Sequence, residues 1–270
     1  MEKKKKNYNN KYFLITGAAG LLGYEHAIAL LQINYNLVLT DINLKKLNKH
    51  KKVLKKLFPK LKILVSKMDV SKESSIKNLS SKLRRMKINL FGLLNNAAID
   101  SKVTRKNSMT NSGKLENTSL FEWNKHINVG LSGAMLCCKY FGPLMIKNKE
   151  GGVIINVSSD LSVIAPNHSV YEKNIFKPVT YSVVKHGIIG LTKYISTYWS
   201  KYKIRCNAIS PGPILHKQSS KFVNKIKKQI PLNRMADKKE YRGAIQFLSS
   251  DASSYMTGHN LIIDGGRSVW

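Results

Sequence analysis

Short apolar runs alternate with longer stretches of helical periodicity along almost the whole chain. Tyr12-Phe13-Leu14-Ile15 is an aromatic and β-branched run that predicts a first strand, and it gives way through a glycine-rich turn to the helical pattern Tyr24 to Gln32. A second strand is predicted over Asn36 to Thr40, ending in Asp41, and a basic amphipathic helix over Lys45 to Leu57. Leu61 to Ser66 reads as a third strand running into Met68-Asp69-Val70. Ser71 to Arg85 follows as a helix with Ser71 as its cap, and Ile88 to Leu94 as a buried strand ending in Asn95-Asn96-Ala97-Ala98. Ser119 to Lys147 reads as one helix and Gly152 to Val157 as a fifth strand ending in Ser158-Ser159. A helix runs from Thr180 to about Trp199, and Ile204 to Ser210 is a sixth strand before the turn Pro211-Gly212-Pro213-Ile214. Lys238 to Ser249 is helical and Asn260 to Ile263 is a short last strand. This rhythm predicts a three-layer, doubly wound α/β fold: a parallel sheet of about seven strands with helices on both faces.

Two stretches break the rhythm. Asp100 to Thr118 is polar and long for a connection inside a compact domain, and Asp160 to Pro178 is a second irregular segment. Ser219 to Ile230, basic and weakly amphipathic, is a candidate lid. With no repeat and no second core, residues 1–270 read as one domain behind a basic tail over 1–10.

The formal net charge of +31 invites a nucleic-acid reading. The excess is nearly all Lys spread along the chain, however, and Arg, which reads phosphates and bases bidentately, is scarce. No basic and aromatic cluster or recognition motif appears, so a nucleic-acid partner is not expected; attraction of anionic small molecules fits better. Cys137, Cys138 and Cys206 form no metal spacing, which implies a reduced compartment and no metal site. The Lys3 to Lys6 run leads into Asn and Tyr, not into an apolar core, and no apolar run reaches membrane-spanning length. A cytoplasmic protein without membrane contact is expected.

Candidate chemistry gathers at three places. In Thr16-Gly17-Ala18-Ala19-Gly20-Leu21-Leu22-Gly23, a strand leads through small residues into a helix, where backbone N–H groups can hold a pyrophosphate. Asp41 lies where an acidic residue would bond a ribose diol and repel a 2′-phosphate, which favours NAD over NADP; Lys45 and Lys46 close by would favour the phosphate instead, and capping the helix before Leu44 is the plainer role for Asp41. Tyr181 and Lys185, four positions apart, fall on one helix face, and an ammonium near a phenol makes it a proton donor and acceptor near neutral pH. Alone that pair decides nothing, because 12 tyrosines in so Lys-rich a chain give roughly one or two such spacings by chance.

Taken in order, these pieces resemble the short-chain dehydrogenase/reductase family from Tyr12 to Gly266. The turn from Thr16-Gly17 to Gly23 resembles its TGxxxGxG loop, Asn95-Asn96-Ala97-Ala98 its NNAG motif, Tyr181 with Lys185 its YxxxK pair, and Pro211-Gly212 its PG motif. The resemblance implies a Rossmann fold and hydride transfer between a nicotinamide and a carbinol carbon. It implies a catalytic set of Asn128, Ser159, Tyr181 and Lys185, with Asn128 helping to hold a proton-relay water. It also implies cofactor contacts from Thr16, Gly17, Gly20, Leu21, Leu22, Gly23, Asp41, Asp69, Val70, Asn96, Ala97, Ala98, Tyr181, Lys185, Pro211, Gly212 and Ile214, and a homodimer or homotetramer. Asn128 as a self-satisfied helix amide and Asp69 as a cap are the plainer alternatives.

Three departures stand out. Leu21 occupies the family's middle glycine position, and Ala98 replaces the last glycine of NNAG. Tyr181 lies 22 positions after Ser159, where the family has about a dozen, so an insertion is expected within Asp160 to Pro178. Ser158 stays an alternative to Ser159, while Tyr171, nearer the usual spacing, has Ile175 where the lysine should be. Phe176-Lys177-Pro178-Val179-Thr180-Tyr181 and the tail Asp264 to Trp270 are similar to bacterial oxidoreductases of flagellin-modification and nonulosonate-sugar pathways. That narrower resemblance implies an anionic carbohydrate substrate: a sugar, sugar phosphate or nucleotide sugar. A non-redox dehydratase or epimerase on the same fold, and a polyanion-binding protein, are the rival readings.

Overall fold

The computed structural model describes residues 10–99 and 113–270. Strands β1 (Tyr12–Ile15), β2 (Asn36–Asp41), β3 (Ile63–Lys67), β4 (Leu90–Asn95), β5 (Gly152–Val157), β6 (Ile204–Pro211) and β7 (Asn260–Ile263) form one sheet in the order β3-β2-β1-β4-β5-β6-β7. Every pairing is parallel. The helices are α1 (Leu21–Gln32), α2 (Leu44–Leu57), α3 (Glu73–Arg85), α4 (Leu120–Ile127), α5 (Gly133–Met145), α6 (Val179–Tyr198), α7 (Ser220–Lys227) and α8 (Arg242–Ser249). They cover both faces of the sheet, as the alternating pattern predicts.

A strand's side chains alternate between faces, and β1 divides its residues accordingly. Phe13 and Ile15 join the core with Leu30 and Leu31 of α1 and Ile245 and Leu248 of α8. Tyr12 and Leu14 join the opposite core with Leu79 and Leu83 of α3, Cys137 and Phe141 of α5, and Ile195 of α6. All three cysteines are buried and unbridged, and burial pushes their thiols upward in pKa.

Several expected boundaries move. β3 starts two residues later than its apolar run, and α3 begins at Glu73 with no side-chain cap. Ser71 does not cap that helix, because its N–H and hydroxyl both donate to Asp69 Oδ1, at 3.0 and 2.6 Å. The helix expected over Ser119 to Lys147 is three pieces: α4, capped by Ser119, a π-helical turn over Asn128–Ser132, and α5. The irregular segment Asp160 to Pro178 is folded. Its Val170 packs with Ile226 of α7, Ile230 and Met235 in a third apolar cluster joined by Tyr171, Phe222 and Val223. α7 is thus more one-sided than its sequence suggests, and Lys225 ties it down by donating to Ser169 O at 2.8 Å. Of the polar stretch Asp100 to Thr118, residues 100–112 lie outside the described residues, as do residues 1–9 of the basic tail.

A buried carboxylate inside this frame meets two cations. Glu25 of α1, almost fully buried, accepts from Arg242 at the start of α8, at 2.8 Å from Nε, and meets Lys238 at 3.0 Å. Its neighbour His26 differs, because both ring nitrogens are buried with no hydrogen-bond partner among the described residues. Burial lowers its pKa to about 4, against a weaker upward pull from Glu25. The folded state therefore resists a proton that the unfolded chain takes up near pH 6.5, and stability falls as the pH drops from about 6.5 to about 4. That interval corresponds to about 3 kcal/mol. Urea denaturation at pH 7 and pH 4 should show His26→Leu losing about 3 kcal/mol less than the parent chain between the two; equal losses would remove His26 as the cause.

Candidate active site

β1 and β4 are neighbours in the sheet, but the chain leaves them in opposite directions, toward β2 and toward β5. Such a switch point opens a crevice at the strands' C-terminal ends. The glycine turn and the Asn95-Asn96-Ala97-Ala98 stretch meet there. Thr16 Oγ1 accepts from Asn96 N and Ala97 N, both at 3.0 Å, and Asn96 Nδ2 donates to Thr16 O at 3.0 Å and Gly17 O at 3.1 Å.

Two positions of this turn have no room for a side chain. Gly17 has φ of +63°, and a Cβ on it would stand 2.8 Å from Ala97 Cα; one on Gly23 would stand 2.4 Å from Gly17 O. Gly20 is the N-cap of α1 and, with no side chain, leaves the first turn of Leu21, Leu22 and Gly23 without a side-chain cap. Those N–H groups have no partner within the helix. Asp41, at the end of β2, accepts from Ala19 N at 3.0 Å and Asn43 N at 2.9 Å, so its carboxylate is held against the turn. Asn43, not Asp41, caps α2. A backbone cradle with an uncapped helix start and a carboxylate at the next strand's tip fits a dinucleotide.

The crevice continues toward α6. A cavity lined by Thr16, Val70, Asn95, Ala97, Gly130 and Lys185 lies beside a second one lined by Ala98, His126, Gly130, Thr180, Tyr181 and Lys185. Lys185, only 6 % exposed, donates from Nζ to Val157 O at 2.9 Å. Its Nζ is 5.7 Å from the centre of the Tyr181 ring, and Lys177 Nζ stands 3.6 Å from the same ring centre. The spacing of four thus gathers Tyr181 and Lys185 as the sequence implied.

The two serines differ. Ser158 Oγ donates to Lys185 O at 2.8 Å and so bonds strand end to helix. Ser159 Oγ donates to Asp160 Oδ1 at 2.9 Å and accepts from Leu161 N at 3.2 Å. Tyr171 packs on Phe222, with ring centres 5.5 Å apart, as part of the α7 cluster. Asp69 turns one carboxylate oxygen to Ser71 while its N–H donates to Ser75 Oγ at 3.1 Å. Pro211 ends β6, Gly212 N donates to Ile263 O at 2.9 Å, and Ile214 bridges Ala236.

Asn128 stands exposed at the start of the π turn, and its neighbours Val129 and Gly130 line the first cavity. Gly130 lines both cavities, and a Cβ there would meet Val184 Cγ1 at 2.5 Å, so Val184 fills the space a side chain at 130 would need. His126, buried beside Tyr181 and pushed downward in pKa mainly by that burial, was also missed. The two glycines within four residues, Gly130 and Gly133, were the available signal.

Residues 17–268 match the family model described as Enoyl-(Acyl carrier protein) reductase, one of the short-chain dehydrogenase/reductase models. The chain belongs to the short-chain dehydrogenase/reductase family. Members of this family are oxidoreductases acting on alcohols, and this chain is an enzyme of that kind. It is 30 % identical over 268 residues to an NAD-dependent glycerol dehydrogenase of Listeria innocua, covering 97 % of this chain and 96 % of that one. Among solved structures, a short chain dehydrogenase from Leptospira borgpetersenii with bound NAD+ superposes with a TM-score of 0.83 at 27 % identity, over 100 % of this chain and 97 % of the other. A gluconate 5-dehydrogenase from Burkholderia cenocepacia in complex with NADP and tartrate, at 22 % identity, shares the fold with a TM-score of 0.85 over 98 % and 97 % of the two chains. No described helix is long and apolar enough to cross a membrane.

Proposed function

We propose that this short-chain dehydrogenase/reductase uses NAD to interconvert a secondary alcohol and a ketone on a polyol or sugar-type substrate. The observation that carries the reading is the Tyr181 ring with two ammonium groups beside it, at the open end of the crevice whose other end is the glycine turn. The nicotinamide, when bound, accepts or supplies the hydride. Tyr181 exchanges the carbinol proton through its hydroxyl. Lys185 and Lys177, beside the ring, favour its phenolate by charge, and Lys185 would also hold the cofactor's ribose. Ser159 Oγ, whose proton goes to Asp160, would accept a hydrogen bond from the reacting hydroxyl. Asn128, exposed at the start of the π turn, would help hold a proton-relay water near Lys185.

The glycerol dehydrogenase of Listeria innocua supports a polyol-type alcohol, and the charge of +31 supports an anionic one. Surface-glycan or flagellin modification rests only on the stretches from Phe176 to Tyr181 and from Asp264 to Trp270. Absorbance of NADH against polyols, sugar acids, sugar phosphates and nucleotide sugars tests the reading. Tyr181→Phe should lower kcat by about 10²- to 10⁴-fold, the usual yield of general acid–base catalysis, with NADH affinity unchanged. Near-normal turnover would refute the assignment.

Asp41, anchored by Ala19 N, supports NAD over NADP. Fluorescence titration should find NADH bound more tightly than NADPH, with Asp41→Ala narrowing the gap; equal affinities in the parent chain would reverse that preference.

A homodimer or homotetramer is also proposed. Leu120 and Phe121 of α4, Met135 of α5, Tyr194 and Tyr198 of α6 and the terminal Trp270 are exposed, whereas Ile188 is buried within the subunit. Because the charge of +31 opposes association and salt screens it, the assembly should tighten with salt. Light scattering at several ionic strengths should show this, and a monomeric mass throughout would contradict it.

A further inference from the structure

A buried ion pair outside both the glycine turn and α6 joins the end of the chain to Ser159. Arg267 is 8 % exposed and Asp160 only 3 %, and Arg267 Nη1 donates to Asp160 Oδ2 at 2.6 Å. The other oxygen, Oδ1, accepts from Ser159 Oγ at 2.9 Å and from Leu161 N at 2.8 Å. Arg267 Nη2 donates to Gln229 Oε1 at 3.2 Å, in the segment that follows α7. A continuous path therefore runs from Gln229 through Arg267 and Asp160 to the Ser159 hydroxyl.

The end of the chain is built to hold this arginine. Asp264 accepts from Gly266 N at 2.9 Å and Ser268 N at 2.7 Å, closing a turn that places Arg267 inward while Val269 and Trp270 are exposed. Leu232 N donates to Gly265 O at 3.2 Å and ties the same turn to the chain after α7. A buried carboxylate is costly without a partner, and Nη1 of Arg267 meets that need while Nη2 bonds a second element. A serine hydroxyl has one proton, so an acceptor fixed beside it sets the direction of its O–H and of its lone pairs.

We infer that Arg267 is a positioning residue for the reaction: through Asp160 it fixes the orientation of the Ser159 hydroxyl, and through Gln229 it holds the chain after α7 at the same end of the sheet. The inference rests on the dehydrogenase reading above. An arginine that merely anchored the tail would change stability and leave kcat alone. A positioning arginine changes kcat while cofactor affinity stays put, and its effect is partly reversed by lysine, which restores the charge but not the two-pronged geometry.

The test measures kcat and KM for the best alcohol, NADH affinity by fluorescence, and Tm, in the full chain and in Arg267→Met, Arg267→Lys and the double variant Arg267→Met with Asp160→Asn. Arg267→Met should lower kcat at least about tenfold, on the scale of the rate lost when a group near the reaction is misplaced by an ångström. NADH affinity should stay within about twofold, since that readout follows ground-state cofactor binding only. Arg267→Lys should recover part of the loss. Should Arg267→Met fail to fold, the double variant, which leaves no unpaired buried charge, is read instead and should show the same fall in kcat. Normal kcat in the folded variant overturns the inference alone. Absence of NAD-linked turnover of any alcohol by the parent chain overturns the dehydrogenase reading and this inference with it.

Discussion

A buried ammonium organises the site. Taking a cation out of water costs several kcal/mol unless acceptors replace the lost hydration, and Lys185 meets that cost by donating to Val157 O at the last residue of β5. Ser158 returns the connection by donating to Lys185 O. Helix and strand are thus clasped in both directions at the end of the sheet, and the clasp fixes where Tyr181, one turn earlier, presents its ring. The parallel sheet supplies the frame, because the tips of β1, β4 and β5 all end on the same side. The glycine turn, Asn96 and Lys185 come together there without any one of them being adjacent in the chain.

What was legible in the sequence was what is local. The strand and helix rhythm, the glycine turn and the four-residue step from Tyr181 to Lys185 each depend on short spacings, and the seven strands follow in the expected sequence order even where element boundaries shift. The π turn was not legible, because a run of helical residues reads at constant pitch, whereas five of them, Asn128–Ser132, adopt a wider turn. The order inside Asp160 to Pro178 was invisible for another reason. Its few apolar residues find partners in α7, and neither segment carries a strong enough pattern alone to announce the cluster of Val170, Ile226, Ile230 and Met235. The contact between Asp160 and Arg267 joins residues 107 positions apart, and no local spacing encodes it.

The assignment of roles to the two serines illustrates how neighbouring identical residues diverge. Successive positions along extended chain face opposite ways, so Ser158 bonds the backbone of α6 while Ser159 meets a carboxylate. Their chemistry is the same, and their environments make one a tie to a helix backbone and the other a hydroxyl held by a carboxylate.

The π turn has a geometric effect beyond the crevice. Relative to a regular α-helix it houses one surplus residue, and each residue of helix corresponds to about 100° of rotation. α4 and α5 are therefore out of phase with each other by roughly that angle. The wide turn that brings Gly130 against Val184 also sets the compass bearing of everything before it, so the exposed Leu120 and Phe121 look in a direction that an unbroken helix would not give them. The crevice wall and the outer face of α4 are thus tied to each other through a single residue of helical phase.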